Sequence, residues 1–170
     1  MQTTILTNTE REQQIYEALF SVKDPEIPVI SVVDLGIITS VTWHEDTGTA
    51  LVVMTPTFTA CPATKVMQTQ IQECVAALPF VKEATVTIDF TIPWNSNRIS
   101  ETGKQQLKEF GLAPPPVYTG EVDLEKIAEA KCPNCGSSNT SLNLLFGPTL
   151  CRSMHFCYDC RQAFEAFKPV

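Results

Sequence analysis

At 170 residues, 44% of them hydrophobic, the chain has enough apolar material for one ordinary domain, or for one domain with a small appendage. Twelve Lys and Arg stand against nineteen Asp and Glu, for a formal charge of −7 and a pI of about 4.8, and neither half is basic: seven to thirteen through Gly111, five to six beyond it. This excludes a nucleic-acid or anionic-membrane surface, and without a leader pattern or an apolar run of membrane-spanning length the expectation is a soluble, cytoplasmic protein.

The first predicted element is an amphipathic helix. Thr9-Glu10-Arg11-Glu12 has capping-box spacing, and Ile15, Leu19 and Val22 follow at helical intervals. Asp24-Pro25-Glu26-Ile27-Pro28 stops it, because each proline disfavours helical geometry in the residue before it. The carboxylates of Asp24 and Glu26 read either as turn formers on a stiff loop or as a functional pair. Ile37, Thr39, Val41 and Trp43 then recur at period two, Glu45-Asp46-Thr47-Gly48 makes a turn, and Ala50 to Met54 forms a second strand with apolar residues on both faces. His44, at that turn, is expected in solvent.

The stretch Thr55-Pro56-Thr57-Phe58-Thr59-Ala60-Cys61-Pro62-Ala63 joins this strand to a helix. Pro62 suits a first helical position, where its missing N–H is no loss, which makes Cys61 the expected N-cap. There, unpaired backbone N–H groups and the helix dipole favour a thiolate, so Cys61 is a candidate nucleophile or metal ligand, with Thr55, Thr57 and Thr59 shaping a shallow pocket over it. The competing reading is a small buried hydrophobe. Met67, Ile71, Cys74, Val75 and Leu78 line one face of the helix, placing Cys74 in the core.

Val86, Ile88, Phe90 and Ile92 alternate with Thr87, Asp89 and Thr91, which predicts a strand with one wet face. The order α-β-β-α-β gives an α+β fold, a small antiparallel or mixed sheet with helices on one side. A polar loop from Trp94 to Arg98 precedes a short helix with Leu107 and Phe110 facing inward and Gly111 closing it. Ala113-Pro114-Pro115-Pro116 is a stiff spacer, so the expected division is a first domain at 1–112, a linker with a short helix at 113–130 and a final module at 131–170.

That module carries Cys132-Pro133-Asn134-Cys135-Gly136 and Cys157-Tyr158-Asp159-Cys160. Two C-x-x-C pairs in a short segment read as a zinc ribbon, each pair wrapping two thiolates around one ion and Gly136 relieving the turn after the second sulfur. So few residues bury too little surface to fold unaided, which gives the ion a structural task. Phe146-Gly147-Pro148-Thr149 reads as the turn between ribbon strands. Cys151 and His155 are possible substitutes for a ligand, and iron held by the same four sulfurs, as in a rubredoxin, is the rival to zinc.

Taken together, Asp24 to Pro28, Val33-Asp34-Leu35-Gly36-Ile37, Thr55 to Ala63, the two cysteine pairs and Phe164-Glu165-Ala166-Phe167-Lys168-Pro169 resemble the PaaD family, the D subunits associated with the phenylacetyl-CoA ring-epoxidising monooxygenase complex. The first part is similar to iron–sulfur assembly domains of the SufT-like kind, with Cys61 at the position of their reactive cysteine. Cys151 matches a cysteine recurrent in the ribbon extension. The resemblance implies an accessory protein of aerobic phenylacetate degradation rather than an enzyme by itself. It would help install a transient iron–sulfur cluster in the reductase subunit, alongside a structural Zn2+, with other subunits of the complex as partners. A cluster takes four thiolates and Cys61 offers one, so two copies, as a homodimer, or one copy and a client would share it. Two alternatives stand beside this: an adaptor docking through its ribbon without cluster chemistry, and a cysteine nucleophile, for which no imidazole lies near Cys61 in sequence.

Overall fold

The computed structural model describes residues 8–170. They fall into two compact units, 8–56 with Pro62–Pro93, and Thr57–Cys61 with Trp94–Val170.

The first unit contains α1 (Asn8–Ala18), β1 (Ile38–His44), β2 (Thr49–Met54), α2 (Ala63–Ala76) and β3 (Glu83–Ile88), the α-β-β-α-β order that the hydrophobic periodicities predict. Its sheet runs β1-β2-β3, antiparallel between the first pair and parallel between the second. Parallel neighbours cannot be joined by a tight turn, so the chain crosses over through α2. Ile15, Leu19, Leu35, Ile37, Val52, Met54, Met67, Ile71 and Val75 are buried in this unit. Each such side chain contributes roughly 1.5–3 kcal/mol. Edge strand β3 leaves carbonyls unpaired on its outer side, and α2 covers two of them: Gln68 Nε2 donates to Val86 O at 2.8 Å and Gln72 Nε2 to Ala84 O at 3.0 Å.

Local sequence rules fail at three places in this unit. The expected cap residue Thr9 falls within the span of α1, and the Glu12 carboxylate accepts from the Trp43 N–H at 3.1 Å. The strand predicted through Ile92 ends at Ile88, because Asp89 Oδ1 accepts from the Thr91 N–H at 2.7 Å and the Thr91 hydroxyl at 2.6 Å, closing an Asx turn that competes with the ladder. Phe90 and Ile92 are consequently exposed. Cys74 is half-buried rather than core, its thiol donating to Ala18 O at 3.4 Å.

The second unit contains α3 (Glu101–Phe110), β4 (Leu112–Ala113), α4 (Leu124–Ala128), β5 (Thr140–Leu144), β6 (Arg152–Cys157) and β7 (Ala163–Phe167). The sheet order is β4-β7-β6-β5, with β7 and β6 antiparallel, β6 and β5 antiparallel, and β4 parallel to β7. Trp94 through Ala113, most of which the sequence assigns to the first domain, thus belong to this unit. Trp94 is buried against Phe167 at 5.8 Å between ring centres. Ser100 caps α3 by accepting from the Gly103 N–H, and Gly111 ends it at φ 92, where a side chain would be strained. Leu107 is buried as expected, but Phe110 is exposed.

Candidate metal centre and the cysteine turn

The four paired cysteines converge. The sulfurs of Cys132, Cys135, Cys157 and Cys160 all lie within 4.8 Å of one another, with Cys132 to Cys160 at 3.6 Å and Cys135 to Cys157 at 3.5 Å. Four sulfurs each about 2.3 Å from an ion at the centre of a tetrahedron stand about 3.8 Å apart. The cradle therefore fits one tetrahedral thiophilic ion, and none of the seven cysteines is spent in a disulfide.

Each C-x-x-C pair sits on a turn of the same build. In the first, the Gly136 N–H reaches Cys132 O at 2.9 Å and Gly136 adopts φ 76. In the second, Arg161 takes the place after the last cysteine and adopts φ 59, the left-handed conformation that glycine adopts without strain. Hydrogen bonds tie the turns together across the centre: Asp159 accepts from the Ser137 hydroxyl and from Asn139 Nδ2 at 2.8 Å, and Asn134 Nδ2 donates to Gln162 Oε1 at 3.0 Å. Ser137 and Asn139 hold the Asp159 carboxyl below its usual range.

The centre is poised to lose protons unequally. The Cys160 N–H, helped by the Asp159 N–H and opposed by burial, draws the Cys157 thiol down to about 7. Burial first, then the neighbouring Cys157, pushes Cys160 up to about 12. For Cys135 the Ser137 N–H favours the thiolate, but desolvation and the adjoining thiols prevail and the pKa rises. An incoming cation would meet one ready thiolate and displace protons from the others. With four protein sulfurs and no open position, such an ion is structural.

Neither proposed substitute stands in this set of four. His155 is fully buried in β6, stacked on Phe164 at 5.3 Å, with Nε2 at 2.8 Å from the Ser153 hydroxyl; burial lowers its pKa. Cys151 is half-buried, its sulfur 3.1 Å from the Thr149 hydroxyl.

Cys61 lies one residue further from α2 than the N-cap position expected for it. Pro62, at φ −65 and ψ −26, already has helical geometry and occupies the cap place, with no side-chain cap. The Cys61 N–H instead closes a tight turn on Phe58 O at 3.1 Å. The thiol is half-buried, with Thr59 and Ala60 exposed beside it and Thr57 half-buried. Thr57, Thr59 and Cys61 share the second unit with the four-sulfur centre, whereas Asp24, Glu26 and Thr55 belong to the first. Asp24 behaves as the turn former: its Oδ1 accepts from the N–H groups of Glu26 at 2.7 Å and Ile27 at 3.0 Å. Thr55 is buried and donates from its hydroxyl to Ile92 O at 2.9 Å, fixing the loop after β3 beside the end of β2.

Sequence patterns gave no role to one residue that the fold buries. Lys168 is 4% exposed, its Nζ 4.1 Å from the centre of the Phe146 ring and 5.7 Å from that of Phe58. The one available signal was a lysine set between Phe167 and Pro169 in an otherwise apolar end.

Two family models match: "PaaD zinc beta ribbon domain" over residues 119–168 and "Iron-sulfur cluster assembly protein" over 12–88. The chain is 32% identical over 158 residues, 92% of either sequence, to an Escherichia coli protein described as the putative D subunit of 1,2-phenylacetyl-CoA epoxidase. It is 33% identical over 93 residues, 55% of this chain and 89% of the relative, to an Fe-S protein maturation auxiliary factor of Bacillus subtilis. Among solved structures, a domain of unknown function from Bacillus anthracis superimposes with a TM-score of 0.56 at 29% identity, covering 59% of this chain and 93% of that one.

Proposed function

Because this chain belongs to the PaaD family, and is related to the D subunit of phenylacetyl-CoA epoxidase, we propose that it is an accessory factor that takes up and hands on an iron–sulfur cluster through Cys61. The single observation that carries this reading is the placement of that thiol. It is half-buried in a turn whose neighbours Thr59 and Ala60 are exposed, so a visiting protein can reach it. The match of residues 12–88 to iron–sulfur assembly proteins supports the same role.

The cluster is cargo, bound by ligand exchange: a carrier's thiolate leaves as Cys61 enters, and a client's thiolates displace Cys61 in turn. The client is the iron–sulfur reductase subunit of a phenylacetyl-CoA monooxygenase, and the work is done in the cytoplasm, where free cysteines persist. The ribbon holds a zinc ion through Cys132, Cys135, Cys157 and Cys160, which supplies folding energy and no chemistry. To test this, the full chain is reconstituted anaerobically with ferric iron, sulfide and a dithiol and mixed with apo-reductase, whose electron transfer is then measured. Cys61→Ser should keep its zinc and its circular dichroism yet fail to activate the reductase. Equal cluster content and equal activation in that variant would refute the role.

A docking role has one observation of its own in its favour. Leu144, Leu150 and Tyr158 of the ribbon are exposed apolar side chains, material for a partner surface. Under that reading Cys61→Ser remains active in cells and polar substitutions at these three positions do not.

A further inference from the structure

The two edges of the first unit's sheet are finished differently. On β3, Gln68 and Gln72 of α2 answer the carbonyls of Val86 and Ala84. On β1 a single side chain does this, because the Glu12 carboxylate accepts from the Trp43 N–H at 3.1 Å. That bond also fixes which groups of β1 face outward. In an antiparallel ladder, residues that exchange both backbone hydrogen bonds alternate with residues that turn N–H and C=O away from the partner strand. Trp43, opposite Ala50, is therefore of the outward kind, and so is Val41, two residues earlier in the same register opposite Val52. Among the described residues no acceptor meets the Val41 N–H. β1 contains no lysine, acidic residue or proline to guard this edge, and its bulge lies at the start, between Ile38 and Ser40.

A groove runs along the open edge, lined by Glu12, Gln13 and Tyr16 of α1 and by residues 38–41 of β1. Its charge is of one sign: Glu12 lines it, Gln13 Nε2 donates to the Glu17 carboxylate at 3.0 Å, and no lysine or arginine is among the lining residues. The Arg11 guanidinium is engaged 4.2 Å over the Phe80 ring. Tyr16 is exposed and stands edge-on to the exposed Phe20, with 5.9 Å between ring centres. A carboxylate beside exposed aromatic rings suits a guanidinium or ammonium group. A second copy of this chain would bring the same carboxylates and its own charge of −7, so like charges oppose self-pairing here.

We propose that β1 is a docking strand, to which an extended segment of another protein adds by pairing its backbone with Val41 while setting a lysine or arginine against Glu12 and Tyr16. Main-chain hydrogen bonds give such an added strand its hold, and side chains give it selectivity. The site lies within the first unit, and its residues are separate from Cys61 and from the four-sulfur centre. It gives that unit a means of holding a partner that the cluster role of Cys61 does not itself supply.

The test uses the zinc-loaded full chain with the synthetic peptide acetyl-Arg-Thr-Val-Thr-Val-Thr-Arg-amide, and reads amide hydrogen exchange by NMR. In the free chain the Val41 amide should exchange fast beside slower Thr42 and Trp43, and the peptide should slow it. Glutamate in place of both peptide arginines should weaken binding. Val41→Pro should fold, because an edge strand can lose an outward N–H, and should lower affinity about tenfold. Glu12→Gln keeps an acceptor for Trp43 and should lower affinity by up to about fivefold while flattening its salt dependence. Should Val41→Pro unfold, protection of Val41 in the parent chain decides. Failure of the peptide to bind, or binding that leaves Val41 exchange unchanged, overturns the proposal. So does a Val41 amide already protected in the free chain, or a concentration-dependent dimer that Val41→Pro abolishes, which assigns the edge to a second copy.

Discussion

Removing the ribbon metal is the perturbation whose size the structure determines best. The buried residues around the centre are Ala113, Ala130, Cys132, Cys157, Phe164 and Ala166: three alanines, two ligands and a single large side chain. At roughly 25 cal/mol per Å2 such a set contributes a few kcal/mol, whereas a structural zinc contributes about 10–16 kcal/mol at neutral pH. Loss of the ion therefore removes as much as the whole stability of an ordinary domain, about 5–15 kcal/mol. Chelation under reducing conditions, with metal content measured, should expose residues 132–160 to limited proteolysis, and added zinc should restore protection. Metal-free protein that keeps full resistance across β5, β6 and β7 would refute the reasoning. The pH dependence has a definite sign. Cys135 and Cys160 have raised pKa values, so zinc must displace their protons, and protons compete more strongly as pH falls. Once pH falls below about 7, Cys157 is also protonated, so a chelator-competition series should show the apparent zinc affinity falling more steeply there.

Three further outcomes are expected. Arg161→Gly should raise the stability of the metal-loaded chain by about 1 kcal/mol in thermal unfolding, because φ 59 strains any residue with a Cβ; destabilisation would show that the arginine side chain outweighs the strain. Ile71→Ala, at a fully buried site in α2, should cost about 3 kcal/mol in denaturant unfolding, and a loss under 1 kcal/mol would mean the first unit collapses onto the space. Lys168→Met should raise the melting temperature, since desolvation disfavours the ammonium and methionine keeps an apolar stem against Phe146; a lowered melting temperature would refute that balance.

What could be read from sequence was what local patterns encode. The α-β-β-α-β order follows from periodicity, the C-x-x-C spacing gave the four converging sulfurs, and Ser100 and Gly111 sit at the ends of α3, where glycine was read as the stop. The alternation through Ile92 misled because it is blind to Asp89 folding back on Thr91. Cys61 was displaced from its cap because proline supplies helical φ one residue early. Nothing local signals that Trp94 packs on Phe167, or that Lys168 lies under Phe58 and Phe146, since these pairs are distant in sequence and depend on how the second unit closes.

The four-sulfur centre and Cys151 are connected by the strands of the second unit, and that connection is itself testable. β6 runs from Arg152 to Cys157, so one end carries a ribbon ligand and the residue before its other end is Cys151. β7 runs antiparallel to it from Ala163, just past Cys160, to Phe167, and Lys168 follows at once. The Lys168 N–H to Cys151 O bond continues this ladder, so a clamp at one end sets the register at the other, about 17 Å away by strand rise. Zinc then fixes the pair of strands that end at Cys151 and Lys168. Chelation should therefore change the alkylation rate of Cys151, measured by mass spectrometry, while that of Cys74 in the first unit stays as it was. If verified metal-free protein alkylates Cys151 at an unchanged rate, the strands carry no such register.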